Sequence, residues 1–236
     1  MTNNFLQDTS KTQAHHLGFL FWCKWILSFI WPVKLLSEGS NKEYIELVLY
    51  RGNRLLNSRN ANYSNGNLQE AYTLCFSEID LKLSTRNTAL VLGFGLGGVS
   101  RLLYQHNDTI KQVGVEIHPT VVTWYRKYCK AIPNVDVRQM DAVKCIYDHQ
   151  MAYDVIIVDV YNDLDVPDEM HSKQVLIRLS SMLTSNGVLI FNKVVANSTH
   201  KEQVNQLMLD LSSVFKSVRV NQQFDLNHFI ICQKET

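Results

Sequence analysis

Residues 88–105 read TALVLGFGLGGVSRLLYQ. A short apolar run ends in a cluster of glycines, and an amphipathic stretch from about Ser100 follows: a strand, a turn and a helix. Gly93, Gly95 and Gly97 permit a tight turn and let a ligand touch the backbone. The string also satisfies GxGxxG through Gly93, Gly95 and Gly98. Taken alone, that spacing suits a dinucleotide and an adenosylmethionine-type cofactor equally well.

Outward from this turn the chain alternates strand and helix. QVGVEI (112–117), VDVRQM (135–140), YDVIIVDVY (153–161) and GVLIFNKV (187–194) read as buried strands. Helices are expected over about 119–130, 142–149, 168–183 and 200–215, the first opened by Pro119 in the favoured position. SVRVNQQ (217–223) and HFIICQK (228–234) close the chain as strands joined only by FDLN, a link too short for a parallel crossover, so they pair antiparallel. Near-continuous apolar strands separated by helices predict a seven-stranded, mostly parallel, doubly wound sheet with a C-terminal antiparallel pair. That is the architecture of the class I methyltransferase-like fold.

The carboxylates fall at strand ends. Glu116 ends the second strand, 23 residues after Gly93, where it can accept both hydrogen bonds of a ribose diol. Asp141 follows the third strand, where it can accept from the exocyclic amine of adenine; capping the next helix is compatible with that role. This carboxylate and the terminal antiparallel pair favour an adenosylmethionine-type site over a nicotinamide site. Phe94, Ile117 and Ala142 complete the expected cofactor-binding set. Asp159 closes the fourth strand, so by the crevice rule it lies with Tyr161 and Asn162 over the reacting end of the cofactor. A carboxylate there can keep an acceptor amine unprotonated. No grouping resembles a metal site or a Ser/His/Asp triad.

Composition sets broader bounds. The chain has 236 residues, 46% of them hydrophobic, and a formal charge of +1, so no global field draws nucleic acid. Five scattered cysteines without CxxC suit a reducing, cytoplasmic setting. Three zones are expected: a polar leader with an apolar Trp-rich helix over 1–40, a small β-hairpin region over 41–67 and the α/β domain over 68–236. The run LGFLFWCKWILSFIWPVKLL (17–36) is as long as a membrane span, yet Lys24 near its middle costs roughly 2.5–3.5 kcal/mol on insertion. A helix packed on the domain, or on a second copy in a homodimer, is the favoured expectation. Peripheral membrane contact through 17–36 is the other.

The strings ALVLGFGLGGVSRLL, VGVEIHPTVV, QMDA, YDVIIVDVYND and LTSNGVLIFN resemble the spermidine synthase (polyamine aminopropyltransferase) family, over about Tyr44 to Gln233. The resemblance implies decarboxylated S-adenosylmethionine, or S-adenosylmethionine itself, as donor and a small amine-type acceptor. It makes Glu116 the ribose-binding acid, Asp141 and Ala142 the adenine contacts and Asp159 the catalytic aspartate. Tyr63, Gln69, Glu70, Tyr161 and Asn162 fall at acceptor positions. The chain also departs from the family. Leu96 stands where the synthases carry an aspartate in the glycine loop, Asn162 where they carry a second aspartate, and Ile45 where a glutamine is usual. The first two lost carboxylates bind cations in the family, so a methyltransferase of unknown substrate and a non-catalytic family member are the alternative readings.

Overall fold

A proline and a two-residue turn shape the first part of the chain. The computed structural model describes residues 22–40, 44–58, 66–78, 87–148, 150–161, 166–222 and 226–234. They belong to two compact units that divide between Tyr63 and Ser64. In the first unit a helical stretch over 22–27 ends well before Pro32, and Val33–Glu38 is a strand, β1. This corrects the expectation of one apolar helix through residue 36: proline removes the N–H that a continuing helix needs and clashes with the preceding turn. β1 pairs antiparallel with β2 (Ile45–Tyr50), which pairs with β3 (Asn53–Ser58). The expected hairpin is therefore part of a three-stranded sheet. Arg51 and Gly52 both take positive φ, 49° and 76°, as the tight turn between right-twisted strands demands. Buried Ser28 grips that turn, its carbonyl accepting from Arg51 N–H (2.7 Å) and its Oγ from Gly52 N–H (3.1 Å). Ile30 and Trp31 beside it are 79% and 74% exposed.

The second unit opens with α1 (Gly66–Glu78), then alternates β4 (Thr88–Leu92), α2 (Gly98–His106), β5 (Lys111–Glu116), α3 (Pro119–Tyr128), β6 (Val135–Gln139), α4 (Ala142–Asp148) and β7 (Tyr153–Val158). A 3-10 turn, Asp168–His171, precedes α5 (Lys173–Ser181), β8 (Leu183–Val194), α6 (Ser198–Ser212), β9 (Ser217–Asn221) and β10 (Asn227–Gln233). The single helix expected over 168–183 is thus divided, because Ser172 takes extended dihedrals and caps α5 by accepting from Val175 N–H.

The sheet runs β6-β5-β4-β7-β8-β10-β9, with β10 antiparallel to both its neighbours. Strand alternation fills both faces. Leu90, Leu92, Ile156, Val158, Leu189 and Phe191 join one buried cluster under α4, α5 and α6. Ala89, Val91, Val155, Ile157, Val188 and Ile190 join the other under α1 and α2. Burying each such side chain contributes about 1.5–3 kcal/mol. β5 lies on one side of β4 and β7 on the other, so chain direction switches at β4 and a crevice opens beyond the carboxyl ends of these strands. Among the described residues no helix is long and apolar enough to cross a membrane.

Candidate active site

The chain turns sharply on leaving β4, and Gly93, Gly95 and Gly97 there do different jobs. All take positive φ: 87° at Gly93, 53° at Gly95 and 80° at Gly97. A β-carbon at Gly93 would collide with the Asp159 carbonyl, and one at Gly97 would sit 2.9 Å from Ile132 Cδ1 and Phe94 Cζ. At Gly95 nothing lies within 4 Å. Gly93 and Gly97 therefore serve close packing, while Gly95 turns an open face outward where a ligand can reach the backbone.

The turn is tied to β5. Gly93 and Phe94 N–H groups both donate to the Val115 carbonyl at 2.9 Å. Glu116 Oε2 accepts from Gly95 N–H (2.9 Å) and Oε1 from His118 N–H (3.0 Å). Both oxygens are fixed, and each keeps a lone pair for a diol. Met140 N–H donates to the Glu116 carbonyl (3.0 Å), which brings Asp141 alongside. Asp141 Oδ1 caps α4 by accepting from Lys144 N–H (2.9 Å), leaving its second oxygen for a ligand. Ala142 is buried at the start of that helix, and Ile117 is 63% exposed.

Asp159 flanks the glycine turn, its N–H bonded to the Leu92 carbonyl (2.8 Å). Its Oδ1 accepts from Asn192 Nδ2 at 2.7 Å. Burial pushes its pKa up to about 6, against the pull of the Asn192 amide and the Tyr72 hydroxyl and with help from the Glu116 charge. Tyr72 on α1 is wholly buried; its hydroxyl lies beside Asp159 without reaching hydrogen-bond geometry. Burial first, then the Asp159 charge, holds that phenol well above its ordinary pKa, so it stays a neutral donor. The Tyr161 hydroxyl lies near enough to Tyr72 to act on it in the same direction.

Gly93, Gly95, Gly97, Glu116, Asp141, Ala142 and Asp159 thus sit at the carboxyl ends of four neighbouring strands. Phe94 differs. Its ring is only 3% exposed and meets Tyr125 edge-on at 4.8 Å, so its backbone alone faces the turn. Interior Gly114 of β5 signals this: the Phe94 ring occupies the space a β-carbon would take there. Gln69 and Glu70 are exposed on α1, and Tyr72 on the same helix is the residue whose hydroxyl lies beside Asp159. Tyr63 and Asn162 lie outside the described residues. Leu96 leans on the Phe94–Tyr125–Ile132 cluster and brings no charge to the turn. Tyr72 and Asn192 were not legible as site residues, since each looks like an ordinary element residue until the sheet is assembled. A shallow depression bordered by Thr88, Lys111, Asn134, Asp136 and Tyr153 lies at the opposite ends of the strands, away from these groups.

Known proteins share sequence and fold with this chain. The chain is 29% identical over 130 residues to a probable polyamine aminopropyl transferase of Bifidobacterium longum, covering 55% of this chain and 29% of that protein. It is 27% identical over 139 residues to a polyamine aminopropyltransferase of Moorella thermoacetica, covering 56% and 49%. The chain therefore spans about half or less of the length of these relatives. Its fold matches a spermidine synthase crystallised with the transition-state analogue AdoDATO, with a TM-score of 0.70 at 16% identity over 86% of this chain and 74% of that one. Residues 74–224 match the spermine/spermidine synthase domain, and the chain belongs to that family.

Proposed function

We propose that this chain is an aminopropyltransferase-type enzyme whose donor is decarboxylated S-adenosylmethionine and whose acceptor is a small amine. The observation that carries the reading is the doubly anchored Glu116 carboxylate beside the open face of Gly95, with Asp159 across the same turn. The donor site fits an adenosyl group: Glu116 for the ribose hydroxyls, Asp141 for the adenine amine, and Ile117 and Ala142 beside them. The donor, when bound, supplies an electrophilic carbon on a sulfonium. Asp159 accepts a proton from the acceptor ammonium and frees the nitrogen lone pair for attack. Its raised pKa suits this task, since a base near 6 is deprotonated at neutral pH yet basic enough to act. Tyr161 and Asn162, following Asp159, and Tyr63, Gln69 and Glu70 are the proposed acceptor contacts. The spermidine synthase crystallised with AdoDATO supports this donor class.

Leu96 favours a second reading, methyl transfer from S-adenosylmethionine itself, because an apolar side chain gives the aminopropyl ammonium no counter-charge. Calorimetric titration with both donors separates the two. Preference for the decarboxylated donor, with a new secondary amine formed from a diamine acceptor, is the expected result. Selective binding of S-adenosylmethionine, with no aminopropyl product, would overturn it in favour of methyl transfer.

A further inference from the structure

Asp159 is held from the neighbouring strand of the sheet. Asn192, on central strand β8, donates Nδ2–H to Asp159 Oδ1 at 2.7 Å. Asn227, the first residue of β10, donates Nδ2–H to Asn192 Oδ1 at 3.1 Å. The pairing explains why these three meet. Val158 of β7 is in register with Phe191 of β8, which puts Asp159 opposite Asn192. Asn227 is in register with Val194, so its side chain shares the face of Asn192 and Val194. Lys193 and His228 project from the opposite face of the same strands.

Asn192 is only 1% exposed, in a position otherwise filled by apolar side chains. A buried amide costs stability unless both its ends are satisfied. An ionised carboxylate only accepts, so the amide nitrogen of Asn192 must face Asp159 and its oxygen must face away. Asn227 supplies the donor that oxygen needs. We infer that Asn192 and Asn227 form a positioning chain that fixes the Asp159 carboxylate, occupying Oδ1 and leaving Oδ2 for the proton of the acceptor.

The chemistry favours neutral amides for this task. A lysine or arginine at the same place would orient the carboxylate but hold it ionised and weaken it as a base. An amide orients it while surrendering less of the basicity that burial confers. Tyr72 of α1 and Glu116 of β5 also act on Asp159, and the Tyr72 hydroxyl does not reach hydrogen-bond geometry.

The inference rests on the proposed role of Asp159, so its test has a readout independent of turnover. The infrared carbonyl band of the protonated Asp159 acid, isolated by subtraction of Asp159→Asn, is titrated in the full chain, in Asn192→Leu and in Asn227→Ala. Loss of a hydrogen bond to a charged group should raise the midpoint in Asn192→Leu by about one pH unit or more, with a smaller rise in Asn227→Ala. With a working donor and acceptor, kcat should fall about tenfold or more while KM for the donor stays within about threefold. An unchanged midpoint in both variants, with only thermal stability reduced, overturns the inference and leaves the pair a sheet staple. Should Asn192→Leu fail to fold, Asn192→Ser and Asn227→Ala decide by the same titration. A wild-type chain that turns over no donor defeats the proposed function, while the midpoint still decides the positioning chain.

Discussion

Asp159 stands where two opposing influences meet: burial strengthens it as a base, and the Asn192 amide and Tyr72 hydroxyl weaken it. Because the base must be ionised to work, kcat/KM should fall as pH drops through about 6, and Asp159→Asn should lower kcat by roughly 10²–10⁴-fold. The same residue has a stability signature of opposite sign. A carboxyl whose folded-state pKa is raised binds its proton more tightly when folded. Its contribution is therefore full below the ordinary 3.8 and is lost as pH rises through about 6. Asp159→Asn escapes that loss. Thermal melts should show the variant more stable than wild type at pH 7, by about 1–3 kcal/mol, with the difference closing near pH 4. A variant that melts lower than wild type at every pH would contradict the burial account. Glu116 is held by the backbone, both its oxygens accepting from N–H groups. In Glu116→Gln one of those N–H groups faces an amide NH₂ instead. Donor affinity measured by calorimetry should weaken by about tenfold or more.

At the scale of the element, the glycine turn separates packing from binding. Gly93→Ala forces a side chain against the Asp159 carbonyl at φ 87°, so β4 and β7 must part. Urea melts should show a loss of about 3 kcal/mol or more, together with failed binding. Gly95→Ala meets nothing within 4 Å and bears only the left-handed backbone cost, about 1–2 kcal/mol. It should stay folded yet lose donor affinity, because the methyl group fills the open face. Equal destabilisation of the two variants would refute the division. This turn, Glu116 and Asp159 were legible in the sequence because local pattern defines them: an apolar strand, its glycines and the acids that end strands. Phe94 was legible only as part of the turn, since a motif string does not say to which side of the loop a ring turns. Asn192 and Asn227 were illegible for another reason. FDLN implied an antiparallel pair, but not that β10 inserts between β8 and β9, and that insertion alone brings Asn227 to Asn192.

For the molecule as a whole, the boundary between Tyr63 and Ser64 sets the most searching test. Both cores that face the seven-stranded sheet, and every described group proposed to hold the donor, belong to residues 64–236. A chain of 64–236 alone should therefore unfold in one cooperative transition and keep its donor Kd within about threefold of the full chain. Tyr63, a proposed acceptor contact, leaves with the removed residues, so acceptor KM is the quantity expected to rise. The two parameters separate the possible outcomes. A donor Kd weakened more than about tenfold would place part of the donor site in residues 1–63. An unchanged acceptor KM would remove Tyr63 from the site. With donor binding retained and acceptor binding weakened, residues 64–236 carry the nucleotide chemistry and Tyr63 keeps its place among the proposed acceptor contacts.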